Sequence, residues 1–223
     1  MFKRQILNYV LLALLLAGVF TLVNDSLLAG QFIGLDTRSW FIIAITVPIL
    51  HQLYVWFTWR AELHHALISR WFGKGPGYHY YKVGFSILII ARPLSIIALA
   101  LANRGSLNLD PFIAWLLAVV LLVPSLYLGY SVARYFGLER AYGIDHFDES
   151  YRNLPFVKQG IYRFTNNGMY LFGLLILWIP GLLLFSKAAL LAALFNHLYV
   201  WVHYYCTELP DIHYIYGPGK AGM

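Results

Sequence analysis

Charge is what this sequence has least of: only 12% of its residues are Asp, Glu, Lys or Arg, and 60% are hydrophobic. A soluble domain carries about 25% charged and about 45–50% apolar residues. No polar stretch is long enough to form a second, soluble domain, so 1–223 is expected to be a single membrane domain. The one cysteine, Cys206, excludes an internal disulfide framework and a Cys-rich metal site; it is expected as a small apolar residue near a helix end. The net charge is +6, but the basic residues are scattered over short connecting segments. The absence of a dense basic stripe argues against nucleic acid and for anionic lipid headgroups as partners.

What is present is a series of apolar runs near the roughly 20 residues that cross a bilayer. Six spans are expected, at about 6–24, 40–59, 84–102, 112–134, 169–185 and 187–205, with boundaries good to roughly 2–4 residues. The first follows Met1-Phe2-Lys3-Arg4 and is longer than the apolar core of a signal peptide, so it is taken as an uncleaved membrane helix. Ser186-Lys187 turns the last two spans into a helical hairpin, whose first arm Pro180-Gly181 is expected to kink. Arg92-Pro93 lies inside the third span, where an arginine must face the bundle or snorkel to a lipid phosphate.

Orientation follows from the lysines and arginines near the span ends. With the N-terminus in the cytoplasm, Lys3, Arg4, Arg60, Arg70, Lys74, Lys82, Arg134, Arg140, Arg152, Lys158, Arg163 and Lys220 lie inside, and only Arg38, Arg104 and Lys187 outside. Both termini are then cytoplasmic. Residues 1–134 form four N-terminal spans, and 135–223 a cytoplasmic segment, the hairpin and a tail. The cytoplasmic segment 60–83 contains the turn-rich Gly73-Lys74-Gly75-Pro76-Gly77, followed by Tyr78-His79-Tyr80-Tyr81, expected as headgroup-level anchors. A bacterial inner membrane and an endoplasmic reticulum both suit this topology. His51-Gln52 and the single His-His pair, His64-His65, are too few for a clustered-histidine metal centre, so no metal is expected.

The chemistry-bearing residues concentrate on either side of the hairpin. Gly-Ile-Tyr-Arg-Phe-Thr-Asn-Asn-Gly-Met-Tyr-Leu-Phe-Gly, 160–173, leads into it, and Glu-Leu-Pro-Asp-Ile-His-Tyr-Ile-Tyr-Gly, 208–217, follows it. The hairpin returns the chain to the same membrane face, so the two segments can meet. They resemble the membrane methyltransferase family of isoprenylcysteine carboxyl methyltransferases and phospholipid N-methyltransferases. Gly160, Tyr162, Arg163, Met169, Tyr170 and Gly173 fit its first motif; Glu208, Ile212, Tyr216 and Gly217 fit its second. Tyr-Gly-Ile-Asp-His-Phe-Asp, 142–148, with 151–217, is most similar to the phosphatidylethanolamine-methylating branch. Asn166-Asn167-Gly168 stands where relatives often carry Arg-His-Pro, Gly173 comes one residue late, and Leu209 replaces a second glutamate.

The resemblance implies S-adenosylmethionine as methyl donor and a membrane lipid amine, phosphatidylethanolamine or its methylated derivatives, as acceptor. Methyl transfer is an in-line displacement that depends mainly on orientation. The implied donor site comprises Gly160, Tyr162, Arg163, Asn166, Asn167, Gly168, Tyr170, Gly173, Tyr204 and Glu208. The helix start near Gly168 would face the donor's carboxylate, Glu208 its ammonium and ribose, and Tyr162, Tyr170, Tyr204 and Tyr205 its adenine. Asn166 and Asn167 are equally candidates for helix caps. His197, His203 and Asp211 are unranked candidates to accept the acceptor's proton. Asn196 and His197 fall within a span, where polar residues either function or bind neighbouring helices. The alternatives are a prenylcysteine carboxyl methyltransferase, an NADPH-dependent membrane sterol or enone reductase, and an inactive lipid-binding relative. Arg163 and Lys187 are the only lysine or arginine between Gly160 and Gly217, few for a dinucleotide's phosphates, although Arg140 and Arg152 could add to them.

Overall fold

A computed structural model describes residues 1–217; Lys220 lies outside the described residues. The described chain is all-α apart from a two-stranded antiparallel hairpin, β1 (Gln31–Phe32) and β2 (Leu35–Asp36). Helix α1 (Gln5–Thr21) precedes the hairpin, and α2 (Thr37–His65) follows directly. The Asp36 carboxylate caps α2 by accepting from the Ser39 N–H at 2.7 Å. Short α3 (Leu67–Phe72) leads to α4 (Lys74–Ala102). Helix α5 (Pro111–Ser131) begins with Asp110 accepting from the Phe112 and Ile113 N–H groups and with Pro111 in the first turn. Three helices are long and apolar enough to cross a membrane: α2, α4, and α5 with its continuation to Phe136. Gln5–Thr21 and Gly168–Leu183 are apolar but shorter.

Two local expectations are corrected. The turn-rich stretch 73–77 is the cap and first turn of α4: Pro76 sits where the helix has no acceptor for its missing N–H. Tyr78 and Tyr81 are buried beside Val55, Trp59 and Ile144, leaving His79 and Tyr80 exposed. The first arm of the C-terminal hairpin is also more broken than one kink implies. It runs as α7 (Gly168–Phe172), a 3-10 stretch (Gly173–Trp178) and α8 (Ile179–Leu183), the last with Pro180 in its first turn.

The second arm, α9 (Lys187–His203), is the centre of the bundle. Ala188, Ala189, Ala192 and Ala193 are fully buried, and such small side chains let helix backbones approach closely. Asn196 donates to the Ala192 carbonyl at 2.9 Å and to Ala44 of α2 at 3.4 Å, so it binds helices together. Arg92 faces the bundle, with its guanidinium 3.5 Å from the Pro48 carbonyl. The outer faces are the reverse: Leu50, Phe57, Ile87, Ile90, Trp115, Val120 and Val123 are exposed, as lipid-facing side chains are.

Each end of the bundle is tied by one side chain. At one, Asn103 donates to the Leu27 and Ala29 carbonyls and accepts from Ser106, Ser186 and the Ala188 N–H. At the other, Arg60 of α2 uses all five N–H groups of its guanidinium. Nε donates to Asp211 at 2.9 Å, Nη1 to the carbonyls of Met1 and Lys3, and Nη2 to those of Cys206 and Thr207. Arg60 and Asp211 are 1% and 2% exposed, which makes this a buried pair.

Arg60→Ala should therefore strip Asp211 of its hydrogen-bonded partner, leaving only His146 at 3.7 Å, at a cost of about 3–5 kcal/mol. Thermal unfolding of the detergent-solubilised chain should show a large fall in Tm. Arg38→Ala, which breaks an exposed pair with Asp25, should barely shift it. Equal shifts in the two variants would contradict this account.

Candidate functional site

The site is built where two helices lose α geometry. After α9 the chain widens into a π-turn, Tyr204–Glu208, before α10 (Leu209–Tyr216). Pro210 has no N–H to offer the Cys206 carbonyl four residues back, and Arg60 and Gln5 supply donors there instead, at 3.1 and 3.2 Å. The Gln5 amide also reaches the Thr207 hydroxyl at 3.3 Å. At the end of α5 a second π-turn, Val132–Phe136, closes on Gly137. π-turns occur mostly as single interruptions and frequently at functional sites.

Between these turns lies a cleft of about 100 Å³, lined by Tyr162, Asn166, Asn167, Tyr170, Tyr204 and Glu208, with Phe136, Phe156, Val157, Met169 and Ile212 completing the wall. Tyr162 stacks on Phe136 at 5.0 Å, and its buried hydroxyl has no partner. Tyr170 lies 5.0 Å from Tyr204. Among the described residues Glu208 is the one charged residue of the lining, with no lysine or arginine beside it. Burial pushes the Glu208 carboxyl up to about 8, with His146 opposing and Asp145 and Asp211 reinforcing the shift.

The other expected residues lie elsewhere. Gly160 does not line the cleft: it has φ +60°, and a Cβ there would fall 2.5 Å from the Ser131 hydroxyl. Its conformation lets the Ile161 N–H reach that hydroxyl at 3.0 Å. Gly168 and Gly173 allow close approach of Ile161 and Leu128 respectively. The motif glycines thus serve packing near α5, and α7 is a five-residue helix whose Asn167 makes no side-chain cap bond. Arg163 is exposed and outside the cleft. His197, a candidate base, accepts from the Trp178 indole at 3.4 Å between the hairpin arms. His203 is buried 6.1 Å from Trp59, and Asp211 is held by Arg60. None of these three candidates lines the cleft.

Behind the cleft stands a cluster that the motifs did not identify as a site. His146 is buried, with Nδ1 3.1 Å from Asp145, Nε2 3.7 Å from Asp211, and its ring stacked 4.2 Å from Trp59. Asp145 in turn accepts from the Tyr216 hydroxyl at 2.8 Å. Burial alone would push the imidazole down, but the two carboxylates outweigh it and raise His146 to about 9. The segment 142–148 carried the signal through its resemblance; Phe136 and Phe156 left none, because π-turns and irregular loops have no sequence period.

The bundle thus has an apolar exterior with three helices long and apolar enough to cross a membrane, and at one end a cleft of aromatic rings, amides and a carboxylate. Residues 113–219 match the model of the phospholipid methyltransferase family. The match covers a little under half of the chain and is consistent with the membrane methyltransferase family that the two segments resemble. No curated protein and no solved structure matches the chain.

The protonated forms of His146 and Glu208 are both favoured by the fold, which fixes the sign of a pH effect. His146 contributes stability that is complete below its ordinary value of 6.5 and lost as pH rises through about 9. Glu208 acts in the same direction, its buried acid form losing ground between 4.5 and about 8. Thermal stability should fall between pH 6 and pH 9, and His146→Gln should flatten the decline. A profile that rises over this interval would refute the cluster's assignment.

Proposed function

We propose that this chain is an S-adenosylmethionine-dependent methyltransferase of a membrane lipid amine, with phosphatidylethanolamine or its methylated forms as acceptor. The observation that carries the proposal is the lining of the cleft, which offers one carboxylate, three tyrosines and two asparagines and, among the described residues, no cation. Such a lining suits a ligand with positive charge and aromatic surface, because tyrosine faces and a carboxylate both attract cations. It does not suit the phosphates of NADPH. Arg140 is directed to the Pro155 carbonyl and Arg152 to Asp145 and Glu149, which weighs further against the reductase.

The unpartnered, buried Tyr162 hydroxyl is a polar atom that a ligand would satisfy. When bound, S-adenosylmethionine would supply a methyl group activated on a sulfonium centre. Glu208 would pair with the donor's positive charge, which favours the ionised carboxylate, so binding should release a proton. Tyr162, Tyr170 and Tyr204 would hold its aromatic part, and Asn166 and Asn167 its polar groups. Asp211 and His203, packed behind the cleft, are positioning residues in this scheme. At about 100 Å³ the cleft is smaller than the roughly 300 Å³ or more of a ligand-enclosing pocket. A nucleoside-sized ligand would therefore require a wall to move; Phe156 and Val157, on irregular backbone, form the wall with fewest constraints.

We further infer six spans with both termini cytoplasmic. Support comes from the Arg60 knot, which gathers residues 1–3 and 206–211 at one end, and from the bias of basic residues toward the segments at that end.

Calorimetry on purified protein should detect S-adenosylmethionine and not NADPH. Glu208→Gln should weaken the donor roughly tenfold or more, the loss expected of a charge-assisted contact. Wild-type affinity should rise with pH up to about 8, where Glu208 ionises without the ligand's help. Binding of NADPH alone, or a donor indifferent to Glu208, would reverse the assignment.

A further inference from the structure

A second, larger hollow runs along the outside of α4. It holds about 670 Å³ and shares no lining residue with the cleft. Its floor is one helical face, with Lys82 and Ser86 at one end followed by Ile87, Ile90 and Leu94, the spacing of three and four that keeps side chains in line.

The polar end is constructed by ties between α4 and the segment 138–142. Lys82 Nζ lies 2.9 and 3.2 Å from the two Glu139 carboxylate oxygens, and the Ser86 and Tyr142 hydroxyls are 2.9 Å apart. Beyond that end the lining is hydrocarbon: Ile87, Ile90 and Leu94 are 63%, 56% and 58% exposed. Charge at one end and hydrocarbon along the rest is the profile of an amphiphile. The length agrees, since the helix rises about 18 Å from Lys82 to Leu94, slightly over half of a bilayer core of about 30 Å.

We propose that this groove binds one zwitterionic glycerophospholipid, its phosphodiester on Lys82, its headgroup ammonium on Glu139, and one acyl chain along Ile87, Ile90 and Leu94. Charge complementarity selects that occupant. Lys82 and Glu139 present one charge of each sign, with side chains 28% and 44% exposed, and a phosphoethanolamine headgroup brings the same two charges reversed. A half-exposed pair of this kind is held by modest energy, so exchanging partners with the lipid costs little. A purely anionic headgroup would leave Glu139 facing negative charge, and an apolar partner helix would leave both charges unused. The site rests on the membrane setting inferred above, but not on the methyl donor or on the cleft.

Native mass spectrometry of the full chain released from detergent tests the proposal with three probes: phosphatidylethanolamine, diacylglycerol without a headgroup, and glycerophosphoethanolamine without acyl chains. Only the intact phospholipid should remain bound at low micromolar supply. Lys82→Gln should lower its affinity about fivefold, the attraction of one lysine for a lipid phosphate, and Ile90→Trp should lower it by obstructing the groove. Both positions are at the surface, so the variants should fold, with Tm as the check. Glu208→Gln should retain the lipid even where it loses the methyl donor, which keeps failure of this site distinct from failure of the cleft. Equal phospholipid affinity in Lys82→Gln and wild type, or equal retention of diacylglycerol, would overturn the proposal.

Discussion

Five N–H groups of one buried guanidinium hold together the end of the molecule that carries the cleft. Arg60 joins α2, the N-terminal residues before α1, the π-turn after α9, and α10 through Asp211. An isolated charge in this position would be costly to bury, and only a planar group with a donor for each acceptor can satisfy so many carbonyls together. The arrangement has a direct effect on the cleft. By accepting the role that the missing Pro210 N–H leaves open, Arg60 stabilises the widened turn that ends in Glu208. Arg60 thus holds the turn that carries the cleft's carboxylate without lining the cleft itself.

The chemistry follows from what the cleft leaves out. Had Arg163 or another cation lined it, Glu208 would be paired and ionised, and the site would favour anions. Among the described residues none does, and burial favours the carboxyl's neutral form. The cluster of Asp145, His146 and Asp211, balanced in charge only with Arg60 and braced by Trp59, acts on the field at Glu208 without entering the cleft. The groove on α4 uses charge differently. Lys82 and Glu139 stay near the surface, where partners can be exchanged, whereas the partners of Arg60 cannot.

Much of the bundle was legible in the sequence because an apolar run of membrane length constrains helix placement more strongly than local composition does. The hairpin at Ser186-Lys187 was legible too, and with it the meeting of 160–173 with the segment that begins at Glu208, which brings Tyr162, Asn166, Asn167, Tyr170 and Glu208 to one cleft with Tyr204. Composition misled at 73–77, where glycine and proline read as turn-rich although a helix's first turn tolerates both. The motif glycines invited a ligand role that the close packing of Ser131, Ile161 and Leu128 explains. Arg60 was legible only as a charge on one side of the membrane. Its partners are carbonyls from distant segments, and carbonyls leave no mark in a sequence. His146 stood within a recognisable segment, but its importance depends on Asp211 and Trp59, which tertiary structure alone brings to it.

The central claim is that the Arg60–Asp211 pair orients the cleft's carboxylate as well as stabilising the fold. Replacing a buried pair by apolar residues of similar size often preserves stability, so the double variant Arg60→Met/Asp211→Leu separates the two roles. The decisive measurement is its affinity for S-adenosylmethionine by calorimetry, with Tm and helical content recorded alongside. A folded variant that binds the donor roughly tenfold more weakly than wild type, about 1.4 kcal/mol, is the predicted result. A folded variant with undiminished affinity would contradict the account, because Glu208 would then be oriented without the guanidinium.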